Sequence, residues 1–287
     1  MFEELAAVGR AVAGDKEPCE LLTEYIGNNY VYGISIDFSE DGKEYLGVDY
    51  REYNESTRKK IAYRKGAPNG FDPTGVSKMS AEVAKAVIRL NRYTKAIMEE
   101  IGDEAFANLY ASFSENREQI DSDIVSKFED LAPTSDRNAF FFLSMGGKPV
   151  YEREAARKFF VEKMSVDFAS KGNIDVSSEN ATCAICNAPQ ETIFGNMSSI
   201  SCYHLNEYAQ IAGGCHPSQG VKNFPVCLNC AVLVNKGFEE IKSSMALYMA
   251  GMTYMLLPDG VDGRLLRKLL KYARTETNVS LHGEKLN

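Results

Sequence analysis

Four cysteines carry the clearest chemistry in this chain. Cys183 with Cys186 and Cys227 with Cys230 form two C-x-x-C pairs, separated by the 40 residues 187–226. Each pair can wrap a tight turn around a metal, so two turns offer four thiolates in a tetrahedron with Zn–S near ~2.3 Å. The spacing therefore predicts one structural zinc ion. Four thiolates leave no position for water, so this site is expected to be non-catalytic. The second pair opens a predicted helix, CLNCAVLVNKGFEE, whose N-terminus favours thiolate. Asn187 follows the first pair and tolerates the left-handed backbone that such knuckles often need. The stretch between the pairs is longer than in a compact zinc ribbon. The ion is thus expected to pin the base of a large excursion and to remove the entropic cost of closing it.

Other uses of these side chains stay open. A single C-x-x-C can be a redox dithiol, although two pairs in one region favour metal. Cys202, His204, Cys215 and His216 lie inside the excursion and could replace one ligand. Cys19 stands alone and reads as a buried thiol, and His282 sits in a polar tail. Of the seven cysteines, six fall between Cys183 and Cys230, which is too uneven for a disulfide scaffold. The first residues, MFEELAAVGRAVAG, carry acids where a secretory signal would carry bases, so a cytoplasmic protein is expected. The longest apolar stretch, Met245 to Leu257, is interrupted by Gly251 and Thr253 and falls short of the about 20 residues a membrane span needs. It reads as a buried strand or helix.

The elements that position the cysteines form an α+β chain. Leu5, Val8 and Val12 mark a short N-terminal helix; Tyr30 to Phe38 alternates like a strand, a Ser-Glu-Asp-Gly turn follows, and Tyr45 to Tyr50 is a second strand. A third strand is expected at Lys60 to Arg64. Residues 66–77, GAPNGFDPTGVS, have the composition of an ordered loop. A helix from Ala81 to Ile101 places Val83, Val87, Leu90, Ile97 and Ile101 on one face, with Thr94 among them, and Lys85, Arg89 and Arg92 on a solvated opposite face. Residues 103–130 read as polar helix. Asp121 and Asp123 resemble the start of a calcium loop but lack its glycine and terminal glutamate. Ala139 to Met145 is a buried strand, Gly146-Gly147 its turn, and Arg153 to Phe168 a helix. Beyond Cys230 a helix to Ser243, a strand from Tyr248 to Leu257 and a basic helix from Arg264 to Arg274 complete the pattern. Three regions follow: a mixed small-sheet and helical N-terminal domain at 1–180, an inserted four-cysteine zinc-finger region at 181–232, and a helix–strand–helix segment at 233–287 returning to the core.

A net charge of -8 argues against wholesale coating of nucleic acid, but its distribution is uneven. Residues 1–50 hold 3 bases and 11 acids, whereas residues 51–100 hold 11 bases and 6 acids. A basic segment in an acidic chain suits a local phosphate contact, since attraction reaches only about one Debye length, ~8–10 Å. Common catalytic equipment is missing from the sequence: it has no phosphate-cradling G-x-x-x-x-G-K-[ST], no H-E-x-x-H and no His-Asp dipeptide.

Several of these segments resemble one family. The run KNFPVCLNCAVLVNKGFEEIKSSMALYMAGMTYMLLP (Lys222 to Pro258), with CAIC (Cys183 to Cys186) and TIFGNMSS after it, resembles the zinc-finger segment of the type I-B CRISPR Cascade large subunit, the Csh-type family. IAYRKGAPNGFDPTGVSKMS (Ile61 to Ser80) resembles its N-terminal Arg–Gly–Asn-Gly loop, and AFFFLSMGGKPVYE (Ala139 to Glu152) its central strand and glycine turn. Family members are usually longer and carry a glycine where Asn187 stands. Their pattern in the excursion is weak here, where HLNEYAQIAGGCHPSQG stands instead, so the DNA-contacting role of that stretch does not carry over.

The resemblance implies a non-enzymatic subunit of an RNA-guided surveillance complex. Such a subunit reads a short duplex motif beside the target double-stranded DNA, contacts the guide RNA 5′ end and the other Cascade subunits, and helps recruit the helicase-nuclease, while base pairing reads the target. Within that frame the loop 66–78 with Arg64, Lys65, Asn69 and Lys78 is the expected minor-groove contact, and Arg58, Lys59 and Lys60 would hold phosphates. The same loop could grip guide RNA or a neighbouring subunit, or be a packed turn. Two other functions fit the residues: a zinc-stabilised protein-interaction module without nucleic acid, and a metal-dependent nuclease built from scattered acids.

Overall fold

Alternating aromatic and β-branched residues give the central strands of this protein, whose computed structural model describes residues 1–67, 70–78, 83–130, 138–197, 200, 216–249 and 252–275. The chain begins with α1 (Phe2–Ala13) and the single turn α2 (Pro18–Leu21), then β1 (Tyr30–Phe38), β2 (Tyr45–Glu52), the turn α3 (Glu55–Arg58) and β3 (Val76–Lys78). Three helices follow, α4 (Val83–Ile101), α5 (Glu104–Glu115) and α6 (Arg117–Asp130), and then β4 (Asn138–Met145), β5 (Lys148–Pro149) and α7 (Glu154–Ala169). The remaining elements are the small pairs β6 (Ser170–Lys171) with β7 (Ile174–Asp175) and β8 (Ser177–Thr182) with β9 (Pro189–Phe194), then α8 (Leu228–Ser244), β10 (Ala246–Met249), β11 (Met252–Met255) and α9 (Gly263–Thr275). The fold class is therefore α+β, as the sequence predicts.

Packing groups the chain into two units, Leu22–Met164, and Met1–Leu21 with Ser165–Asn287. In the first unit the strands run in the order β2-β1-β4-β3, with β5 beside β4. β1 and β4 are parallel, Ile34 opposite Phe141, and the other pairings are antiparallel. β4 is buried on both faces, and successive side chains diverge as the pleat requires. Phe141, Leu143 and Met145 join Ile34, Ile36 and Phe38 under Val87, Leu90, Tyr93, Phe106 and Phe113. Phe140 and Phe142 point the other way, onto Ile26, Tyr63 and Val76. Thr94 sits in the apolar face of α4 because its hydroxyl donates to the Asn91 carbonyl, 2.8 Å away.

The expected strand at Lys60 to Arg64 is not one. Asn54 caps α3 by accepting from the Thr57 N–H at 3.0 Å, and the chain then offers only an isolated bridge, Glu24 with Tyr63. The third strand is β3, three residues long, at the end of the glycine-rich loop.

In the second unit α1 and α8 pack backbone against backbone. A Cβ on Gly9 would lie 1.9 Å from the Leu233 carbonyl oxygen, and one on Gly237 would lie 1.9 Å from that of Leu5. Glycine is what lets the two helices approach so closely. The contact face of α1 is Leu5, Ala6, Val8, Gly9 and Ala13, and Val12, expected inside, is exposed. Because α1 packs on α8, the first 21 residues group with residues 165–287. Among its described residues the stretch Met245 to Leu257 is not a single buried strand: β10 and β11 pair antiparallel and expose Leu247, Met252, Tyr254 and Met255. No helix among the described residues is long and apolar enough to cross a membrane.

Candidate metal centre and basic loop

The first cysteine pair sits in the loop that joins β8 to β9. Its turn is closed by Cys183 N–H to the Ala188 carbonyl at 3.1 Å and Asn187 N–H to the Cys183 carbonyl at 2.9 Å. Asn187 takes φ 55°, the left-handed conformation that the sequence anticipates. The second pair begins α8, with Cys227 at its N-cap and Cys230 in its first turn. Backbone bonds join the two knuckles. Phe194 and Val226 exchange N–H···O bonds of 2.7 and 3.0 Å, and Ala184 N–H donates to the Pro225 carbonyl at 2.8 Å. The Cys227 N–H also points at Cys183 Sγ, 3.3 Å away.

The four sulfurs all lie within 4.8 Å of one another. A zinc tetrahedron with ~2.3 Å bonds has S···S edges of roughly 3.8 Å, so the cluster has the right size for such an ion. Cys183, Cys227 and Cys230 are buried and Cys186 is exposed, and none of the four is in a disulfide. A hydrogen bond from Cys230 holds the Cys227 thiol at about 5 and pushes Cys230 well above the usual thiol range. A metal cation binds cysteine as the thiolate, so its binding would release the protons of the remaining thiols. Of the alternative ligands, Cys202, His204 and Cys215 lie outside the described residues, as does His282. His216 caps the 3-10 turn Pro217–Lys222, its Nδ1 accepting from the Ser218 N–H at 3.3 Å.

The basic segment divides into inward and outward charges. Arg58, expected on phosphate, is buried, and its guanidinium donates to the Tyr53 carbonyl at 2.5 Å. Lys59 is exposed but paired with Glu55 at 2.5 Å. Arg64 reaches Glu24 at 3.1 Å and the Leu22 carbonyl at 3.4 Å. Lys60 and Lys65 are exposed. Asn69 lies outside the described residues. Lys78 lies over two aromatic rings, 4.2 Å from the Tyr63 centroid and 5.0 Å from that of Tyr30. Burial lowers the Lys78 pKa, against the pull of Glu24 and Asp72.

Sequence reasoning missed Asp72, which organises this loop. Its carboxylate is 2% exposed, accepts the Gly66 N–H at 2.7 Å and faces the Arg89 guanidinium at 3.6 Å. Burial raises the Asp72 pKa despite these two partners. Asp72-Pro73-Thr74-Gly75 is a turn closed by the Gly75 N–H on the Asp72 carbonyl at 3.1 Å, and Asp-Pro-x-Gly is a recognisable turn signature. The side-chain reach back to Gly66 has no such local signature. Arg89, read as part of a solvated face, is drawn to Asp72.

Fold and site together define an α+β protein with a four-cysteine cluster able to hold a metal ion. Residues 1–162 match the family model described as CRISPR-associated protein TM1802, N-terminal domain, and residues 180–285 match the central domain of the same family. The chain belongs to the TM1802 family of CRISPR-associated proteins. No curated protein and no solved structure matches it.

Proposed function

We propose that this chain is the non-catalytic large subunit of a type I-B RNA-guided surveillance complex, built around one structural zinc ion. The family match over residues 1–162 and 180–285 carries this reading, because both domains occur in the family's order. Cys183, Cys186, Cys227 and Cys230 would hold the zinc, which when bound cross-links two knuckles 40 residues apart and leaves no ligand position for catalysis. The backbone bonds between Phe194 and Val226 bring the knuckles together, so the ion would reinforce a contact the chain itself makes.

In this reading the loop 66–78 meets the duplex motif beside the target, together with guide RNA at its 5′ end. Asp72 fixes the loop's stem through Gly66, and Lys65, Lys60 and Lys78 present charge beside it. Partner subunits orient the acidic remainder away from DNA, and the assembled complex recruits the helicase-nuclease. Arg58 is reassigned from phosphate contact to holding the Tyr53 carbonyl.

The test uses the assembled complex with target DNA. Changing Lys60, Lys65 and Lys78 to Ala should weaken binding about tenfold and flatten its dependence on salt. Unchanged binding would leave a zinc-stabilised protein-interaction role, and magnesium-dependent cleavage abolished by one carboxylate change would instead reveal a nuclease.

A further inference from the structure

Helix α9 presents a stripe of exposed cations. Its sequence, GRLLRKLLKYART, holds five bases and no acid. Leu266 and Leu270 are 2% and 3% exposed and anchor one face. At 100° per residue Arg264, Arg267, Lys268 and Lys271 fall within an arc of about 100° on the opposite face, over about 10 Å of helix. All four are exposed. Asp262, just before the helix, accepts the backbone N–H groups of Arg264 and Leu265 at 2.8 and 3.0 Å.

Several cations on or beside other helices carry acidic partners. Lys59, Lys95, Lys158 and Lys236 each have a glutamate partner one turn away, at 2.5, 3.7, 4.0 and 2.8 Å respectively. Among the described residues no acid pairs with the side chains of Arg264, Arg267 or Lys268.

We propose that this face of α9 binds the phosphodiester backbone of nucleic acid, in addition to the loop 66–78 and without reading sequence. One strand of duplex DNA carries a charge per ~3.4 Å of axis, so ~10 Å of it offers about three phosphates to this face. A membrane surface fits less well: an interfacial helix inserts its apolar face into lipid, and here Leu266 and Leu270 of that face are buried in protein, leaving Leu265 exposed. Tyr272, 64% exposed, borders the stripe and offers a ring to a sugar or base.

The experiment measures binding of the full chain to labelled random-sequence duplex DNA and to single-stranded RNA at low salt, by fluorescence anisotropy. The triple variant Arg264→Gln, Arg267→Gln, Lys268→Gln should bind at least tenfold more weakly to either probe, and its log–log salt slope on duplex DNA should fall by about three. The melting temperature should not change, and Lys236→Gln, which removes a cation already paired, should bind normally. Which probe binds more tightly identifies the strand type. Failure of the unaltered chain to bind either probe, or equal binding by the triple variant, would overturn the proposal. So would binding to phosphatidylserine vesicles or to polyglutamate that outcompetes both probes. Because the loop residues are intact in this variant, its result is independent of the loop variants tested in the assembled complex.

Discussion

The cysteine cluster and the basic loop are both visible in the sequence as clusters of one residue type, yet the fold uses them in opposite ways. At the cysteines, residues 44 positions apart are brought together by main-chain bonds, and all four side chains face one point. In the segment 58–78 the cations scatter: Arg58 turns inward, Lys59 and Arg64 take acidic partners, and Lys78 lies on aromatic rings. A thiolate cluster tolerates no substitute for convergence, because each ligand must reach the same atom. A cation satisfies itself with whatever carboxylate, carbonyl or ring is nearest. Spacing is therefore informative for the first kind of site and charge counting is weak for the second.

That contrast is breakable. The largest effect should come from Cys227→Ser, which removes a ligand and the acceptor of the Cys230 hydrogen bond. Metal analysis of the natural chain should return one zinc, the variant none, and stability should fall by about 4 kcal/mol or more. An unchanged melting curve would reduce the cluster to an ordinary thiol core. Next, Gly9→Ala drives a methyl into the Leu233 carbonyl and should cost about 3 kcal/mol in denaturant unfolding, with Gly237→Ala giving a similar loss. Arg58→Ala should lower stability by about 1–3 kcal/mol, by removing a buried side chain and the donor to the part-buried Tyr53 carbonyl, and should not alter the salt slope of DNA binding by the complex. A changed slope would restore Arg58 to the phosphate contacts.

The smallest effect concerns pH. Asp72 is raised above its ordinary value, so its folded form favours the proton. The stability this contributes is full below the ordinary carboxylate range, near ~3.9, and is lost as pH rises through the raised value. Asp72→Asn removes that loss. Its melting temperature relative to the natural chain should therefore climb between pH 4 and pH 7, and a flat difference would show that Gly66 and Arg89 fully compensate burial.

Legibility followed the range of the forces involved. β1, β4 and α4 were readable because burial marks eight or more consecutive residues, and the Asn187 knuckle because one backbone conformation selects one residue type. β3 was not: three residues carry no period, and Val76 to Lys78 is a strand only because β4 supplies its partner. Arg58 in Arg-Lys-Lys looks like surface until Asn54 starts a turn that rotates it inward. The apolar run 245–257 has the composition of a core, and only the hairpin geometry shows Leu247, Met252, Tyr254 and Met255 turned outward. Asp72 announces a turn, but nothing local announces that its carboxylate reaches six residues back.

The glycine crossing of α1 on α8 has a bearing on how the chain is made. More than 200 residues separate Ala13 from Leu228, and a ribosome adding ~5–20 residues per second needs roughly 10–40 s to cover them. Throughout that interval the apolar seam of α1 has emerged and its complement has not been synthesised. A nascent chain captured before residue 228 should thus expose Leu5 and Val8 to chaperones or proteases, and release of that seam should coincide with the appearance of the second cysteine pair.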